Sequence, residues 1–191
     1  MSEGFAVGCI VGSIARGSIN RQLSQALARL APPELRLHEI PIRELPFYSV
    51  DHDADFPAPA RAYKKALADA DAVLIVTPEY NRSIPGVLKN ALDWASRPRG
   101  DNSFARKPTA IIGTSPGALG TAVAQQHLRA VLNVLDAHLM LQPEGYVQFK
   151  PGLVAADGSV TVEATAEFLR RYLAAFLAFL QRARDAAPAG R

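Results

Sequence analysis

Three short stretches hold most of the residue types that could do chemistry. The first, Gly12-Ser13-Ile14-Ala15-Arg16-Gly17-Ser18-Ile19-Asn20, combines hydroxyls, an amide and a guanidinium with backbone N–H groups at the start of a helical pattern. A helix start favours an anion, because its first N–H groups lack partners and its dipole is positive there. The stretch therefore suits a terminal phosphate, although Ser18 and Asn20 also suit plain helix capping. The second, Thr77 to Arg97, opens with Pro78-Glu79-Tyr80-Asn81 directly after an apolar run. The third, Thr114-Ser115-Pro116-Gly117, offers a hydroxyl and a glycine at which backbone can approach a flat ligand closely. Asn81 and Ser115 would be the fixed donors and acceptors at such a ligand's polar edges.

Better-known chemistries fit less well. Gly12 and Gly17 have the spacing of a nucleotide-triphosphate loop, but Ser18-Ile19 stands where Lys-Ser/Thr should follow, so the lysine for the β- and γ-phosphates is missing. No G-x-G-x-x-G occurs. A thiolate phosphatase loop needs five residues between cysteine and arginine, whereas six separate Cys9 from Arg16, and Cys9 lies within an apolar run that reads as core. His38, His52, His127 and His138 fall in different elements at spacings unlike a ligand pair, and no nucleophile triad is visible. Neither a catalytic side chain nor a metal site is expected.

The elements that must position the three stretches follow from periodicity. Phe5 to Val11 is a strand, Ser18 to Leu30 a helix, Leu35 to Ile40 a half-buried strand, and Ala60 to Asp69 a helix after a proline-rich loop. Ala72-Val73-Leu74-Ile75-Val76 is continuously apolar, as a strand covered on both faces should be. Pro85 suits the first turn of the next helix, whose stripe is Leu88, Ala91, Leu92 and Ala95. Thr109 to Gly113, Leu119 to Leu135, His138 to Gln142 and Ala164 to Arg184 read as strand, helix, strand and helix. Alternating strands and helices predict an α/β doubly wound parallel sheet of order 2-1-3-4-5 with helices on both faces. In that topology the stretches after strands 1, 3 and 4 meet at the carboxyl edge of the sheet.

With 191 residues, 49% hydrophobic and 20% charged, the chain fits one packed domain over 1–185 with a frayed tail over 186–191. Its formal charge of +3 is spread without a block of like charges, which argues against a nucleic-acid arm. One cysteine and a start lacking a cationic leader point to the cytoplasm, and no apolar run reads as a membrane span. Trp94 reads as core, Lys89 and Asp93 as an exposed pair, and Leu45 to Tyr48 as either a pocket wall or an intersubunit contact.

The second stretch, Pro78-Glu79-Tyr80-Asn81-Arg82-Ser83-Ile84-Pro85-Gly86-Val87-Leu88-Lys89-Asn90-Ala91-Leu92-Asp93-Trp94, closely resembles the NADPH-dependent FMN reductase family of flavodoxin-like chromate and quinone reductases. The likeness extends to the first and third stretches and to Gln125, His127, Leu128, Arg129 and Pro143-Glu144. It implies bound FMN whose phosphate is held by Ser13, Ser18, Ile19 and Asn20, with Arg16 assisting. It also implies a ring lined by Pro78, Glu79, Tyr80 and Asn81, with Ser115 and Gly117 at its pyrimidine edge. NADPH or NADH would supply a hydride, and quinones, azo or nitro compounds, free flavin or metal oxyanions such as chromate would accept the electrons. The flavin would carry the chemistry, and Arg16 and Arg82 would attract NADPH phosphates. A homodimer or homotetramer is implied as well. A non-catalytic FMN carrier or redox sensor is the alternative. This sequence departs from the family pattern at Ala15, Arg82, Val123 and Gln126, which bears on FMN affinity, assembly and substrate preference.

Overall fold

A computed structural model describes residues 4–186 of the chain. The expected tail falls almost wholly outside them. Strands β1 (Phe5–Val11), β2 (Leu35–Glu39), β3 (Ala72–Val76), β4 (Pro108–Ser115) and β5 (His138–Leu139) form a parallel sheet in the order β2-β1-β3-β4-β5. A further strand, β6 (Gly145–Gln148), pairs with β4. Helices α1 (Ile19–Leu30) and α5 (Glu163–Asp185) cover one face, and α2 (Ala58–Asp69), α3 (Gly86–Ala95) and α4 (Ala122–Val134) cover the other.

Period-two alternation explains the two cores. On β3, Ala72, Leu74 and Val76 face α1 and α5, while Val73 and Ile75 face the opposite layer, and all of them are fully buried. Cys9 joins the first core at 2% exposure; its Sγ lies 3.1 Å from Ser24 Oγ, and burial pushes the thiol up to about 11. It is thus an inert core residue, as its place in the apolar run implies. Trp94 is core too, donating from Nε1 to Pro46 O at 2.7 Å.

The structure revises the sequence reading in three places. The strand expected over His138–Gln142 is only the two residues of β5, and β6, which was not expected, follows it along the same edge of β4. β5 pairs with Pro108 and Thr109, and β6 with Ile112 to Ser115. Between them lie residues 140–144, outside the ladder, among which Pro143 has no N–H to donate. Pro85 is the cap of α3 rather than a first-turn residue. α4 begins at Ala122 instead of Leu119, because Gly117 O accepts from Gly120 N at 3.0 Å in a turn that places Gly120 at φ 58°.

Candidate active site

The strand order sets the carboxyl ends of β1, β3 and β4 side by side, so the loops that follow them are neighbours. The first loop is held from outside. Arg21 donates to Ala15 O at 3.3 Å and to Ser13 O at 3.4 Å, and its guanidinium pairs with Glu39 at 2.9 Å. Arg43 donates to Ile14 O. Carbonyls of three successive residues are thereby bound by two guanidiniums. The backbone N–H groups of Ile14, Arg16, Gly17 and Ile19 donate to no acceptor among the described residues. Ser18 caps α1 by accepting from Arg21 N at 3.2 Å, which leaves its hydroxyl proton available. Ser13 and Ser18 are buried at 5% and 7% exposure, whereas Arg16 is exposed.

Asn20 is tied to another loop. Its Nδ2 donates to Thr114 O at 2.9 Å, and its Oδ1 accepts from Thr114 N at 3.0 Å. The bonds hold the end of β4 against the start of α1, at a side chain only 1% exposed. The resemblance assigned the residue to the FMN phosphate, and the structure adds a second role. In the structure it joins two of the loops.

After β3, Tyr80 and Ser83 exchange backbone hydrogen bonds of 2.9 Å each way, closing a two-residue turn in which Asn81 has φ 52° and Arg82 φ 62°. Such a turn accepts Asn readily at its first position and prefers Gly at its second. Glu79 does not face solvent: Oε2 accepts from Ala124 N at 3.0 Å in the first turn of α4, and Oε1 pairs with Arg82 at 3.3 Å. His127 Nδ1 lies 3.1 Å from Ser83 Oγ. The turn is thus pinned to α4 from both ends. Tyr80 is 53% exposed on it. In the third loop, Ser115 Oγ donates to Gly120 O at 2.5 Å, while Gly117 lies at the surface.

The family model described as NADPH-dependent FMN reductase matches residues 5–152, most of the chain and all three loops. The chain belongs to that family. It is 51% identical over 175 residues to a 2-hydroxy-1,4-benzoquinone reductase of a Burkholderia species, covering 92% of this chain and 96% of that protein. It is 40% identical over 188 residues to a quinone reductase of Escherichia coli, covering 95% and 98%. Among solved structures it resembles FerB, a flavoenzyme NAD(P)H:(acceptor) oxidoreductase from Paracoccus denitrificans, with a TM-score of 0.90 and 44% identity over 93% of this chain and 98% of that one.

As an FMN reductase the protein is an oxidoreductase that binds FMN and draws electrons from NAD(P)H. The first loop fits the FMN phosphate: open N–H donors at a helix start and two buried hydroxyls form the donor set a phosphate requires. Sequence reasoning missed Arg21 and Arg43, since an arginine bound to carbonyls leaves no motif. It also missed that Glu79 caps α4, since the carboxylate lies 45 residues from Ala124 and no local pattern joins them. A cavity of about 630 Å³ lined by Phe5, Phe179, Arg182 and Arg184 lies at the opposite, amino end of β1, away from every site residue named above.

Proposed function

We propose that the protein reduces quinones with electrons from NAD(P)H, using FMN seated across the carboxyl ends of β1, β3 and β4. The FMN phosphate is received by the hydroxyls of Ser13 and Ser18 and by the N–H groups of Arg16, Gly17 and Ile19, with Arg16 supplying positive charge. Asn20 serves that site by fixing the loop to Thr114. The ring lies along Pro78, Glu79, Tyr80 and Asn81, with Ser115 and Gly117 at its pyrimidine edge. Bound FMN would supply the hydride-accepting and electron-donating chemistry between nicotinamide and acceptor. The protein's own residues bind and orient; none need exchange a proton.

The observation that carries this reading is the first loop, whose carbonyls at Ser13, Ile14 and Ala15 are bound by Arg21 and Arg43 while the N–H groups of Arg16, Gly17 and Ile19 remain open. Quinones are favoured as acceptors by the names of the relatives, one of which acts on a hydroxylated benzoquinone. Azo and nitro compounds, free flavin and chromate are further acceptors for the same open face. No helix among the described residues is long and apolar enough to cross a membrane, and the site of action proposed is the cytoplasm. The outward stripe of α4, namely Val123, Gln126, His127, Ala130, Asn133 and Val134, carries no charge, and Val134 and Leu141 are 83% and 64% exposed. That surface supports a homodimer or homotetramer.

Fluorescence titration of the apoprotein with FMN and with riboflavin tests the phosphate assignment. The wild type should bind FMN roughly 100-fold more tightly than riboflavin, because charge-assisted hydrogen bonds to a phosphate are strong. Ser18→Ala should narrow that ratio about tenfold and cost about 1 kcal/mol of stability through the lost cap. Equal affinities for the two flavins in the wild type would remove the first loop from the site.

A further inference from the structure

Arg82 occupies a position that the backbone would fill more easily with glycine. Both residues of its turn have positive φ, and the tie of Glu79 to Ala124 and the contact of Ser83 with His127 keep that turn from relaxing. Holding an unbranched L-residue in the left-handed region is strained, and strain retained within a supported loop points to a use for the side chain. Its guanidinium meets Glu79 Oε1 at 3.3 Å yet stays 69% exposed, so the ion pair orients the cation without burying it. The neighbouring residue Tyr80 is itself 53% exposed, and the turn stands at the carboxyl end of β3.

We infer that Arg82 is a specificity-determining residue that favours electron acceptors carrying an anionic oxygen, in particular quinones with an ionised ring hydroxyl. A hydroxyl on a quinone ring is a vinylogous acid and is deprotonated at neutral pH, and a planar guanidinium matches the resulting delocalised anion. The inference rests on the ring placement proposed above, which sets Arg82 one residue from Asn81. The 2′-phosphate of NADPH, at the far end of the dinucleotide from the nicotinamide, is a less suitable partner for a cation on this turn.

The test uses oxidised, FMN-loaded protein without any nicotinamide and follows the flavin absorbance on titration with 2-hydroxy-1,4-naphthoquinone, which is anionic, and 2-methyl-1,4-naphthoquinone, which is neutral. Arg82→Gln should weaken binding of the anionic quinone about tenfold, as loss of a charge-assisted hydrogen bond does, and leave the neutral one within about twofold. Arg82→Gly should show the same selectivity loss and melt about 2 °C higher, because the turn is relieved. Equal weakening for both quinones, or a melting temperature that falls in Arg82→Gly, would overturn the proposal and make Arg82 a structural tie to Glu79. Adding NADPH or NADH afterwards separates the two readings. Selective binding without any reduction would contradict the reductase function while leaving the role of Arg82 intact. Reduction of both quinones with unaltered selectivity in Arg82→Gln would do the reverse.

Discussion

Gly113→Ala should lower the melting temperature by about 10 °C and abolish high-affinity FMN binding together. A Cβ at Gly113 would stand 2.1 Å from Thr77 O and 2.4 Å from Thr121 Oγ1. The first of these is backbone and cannot swing aside. Thr77 is itself fixed, since its N–H donates to Ile112 O at 3.0 Å and its hydroxyl donates to Pro78 O at 2.8 Å. Accommodating the methyl therefore means separating β4 from the end of β3, at a cost near 3 kcal/mol, the upper end of what overpacking usually exacts. For a domain of this size each kcal/mol shifts the transition by about 2–4 °C. The same movement pulls the Pro78–Asn81 segment away from Ser115, so flavin binding falls with stability. Thermal unfolding followed by circular dichroism, with an FMN titration beside it, checks both effects. A melting temperature within 2 °C of wild type would show that the strands have slack there that the geometry denies.

Asn20→Leu is expected to cost about 3 kcal/mol. Leucine matches the volume but leaves both Thr114 N–H and Thr114 C=O buried without partners, at about 1–3 kcal/mol each before relaxation. Asn20→Asp separates this clasp from any direct role toward phosphate. Its carboxylate would still accept from Thr114 N but would face Thr114 O with a lone pair, unless it kept its proton and donated. The protonated form is thus favoured in the folded state, raising the folded pKa above the unfolded one. Stability contributed by that bond is present at low pH and lost as pH rises through the folded value. Asn20→Asp should therefore gain stability relative to wild type on acidification from pH 7 towards 5. Denaturant unfolding at a series of pH values measures it, and a pH-independent difference between the two proteins would refute the clasp.

What the sequence discloses here follows the physics of each signal. β3 is legible because a strand buried on both faces needs an unbroken apolar run, and α5 because its inward stripe, Ala166 to Leu180, repeats at helical spacing over about four turns. The three loops are legible as a group, since the sheet order brings the ends of β1, β3 and β4 together. β6 escaped notice because its four residues, Gly145 to Gln148, are too short to show a period and Pro143 hides their continuity with β5. Asn20 was legible as important but not as a clasp to Thr114, which lies 94 residues away. No local pattern encodes such a partner. Arg21 and Arg43 act through backbone carbonyls, which every residue has, so nothing in the spacing singles them out. The turn at Asn81–Arg82 hides for the opposite reason: Asn announces positive φ, and arginine after it contradicts the usual glycine.

The central claim is that this one site passes electrons from a nicotinamide to a quinone through FMN. Anaerobic stopped-flow absorbance of the FMN-loaded protein tests it most directly, with NADPH and NADH mixed separately and a quinone added afterwards. Rapid bleaching of the flavin band by at least one nucleotide, followed by its full return on addition of the quinone, is the result expected. FMN that binds but is bleached by neither nucleotide would contradict the account and make the protein a flavin carrier that depends on another reductase.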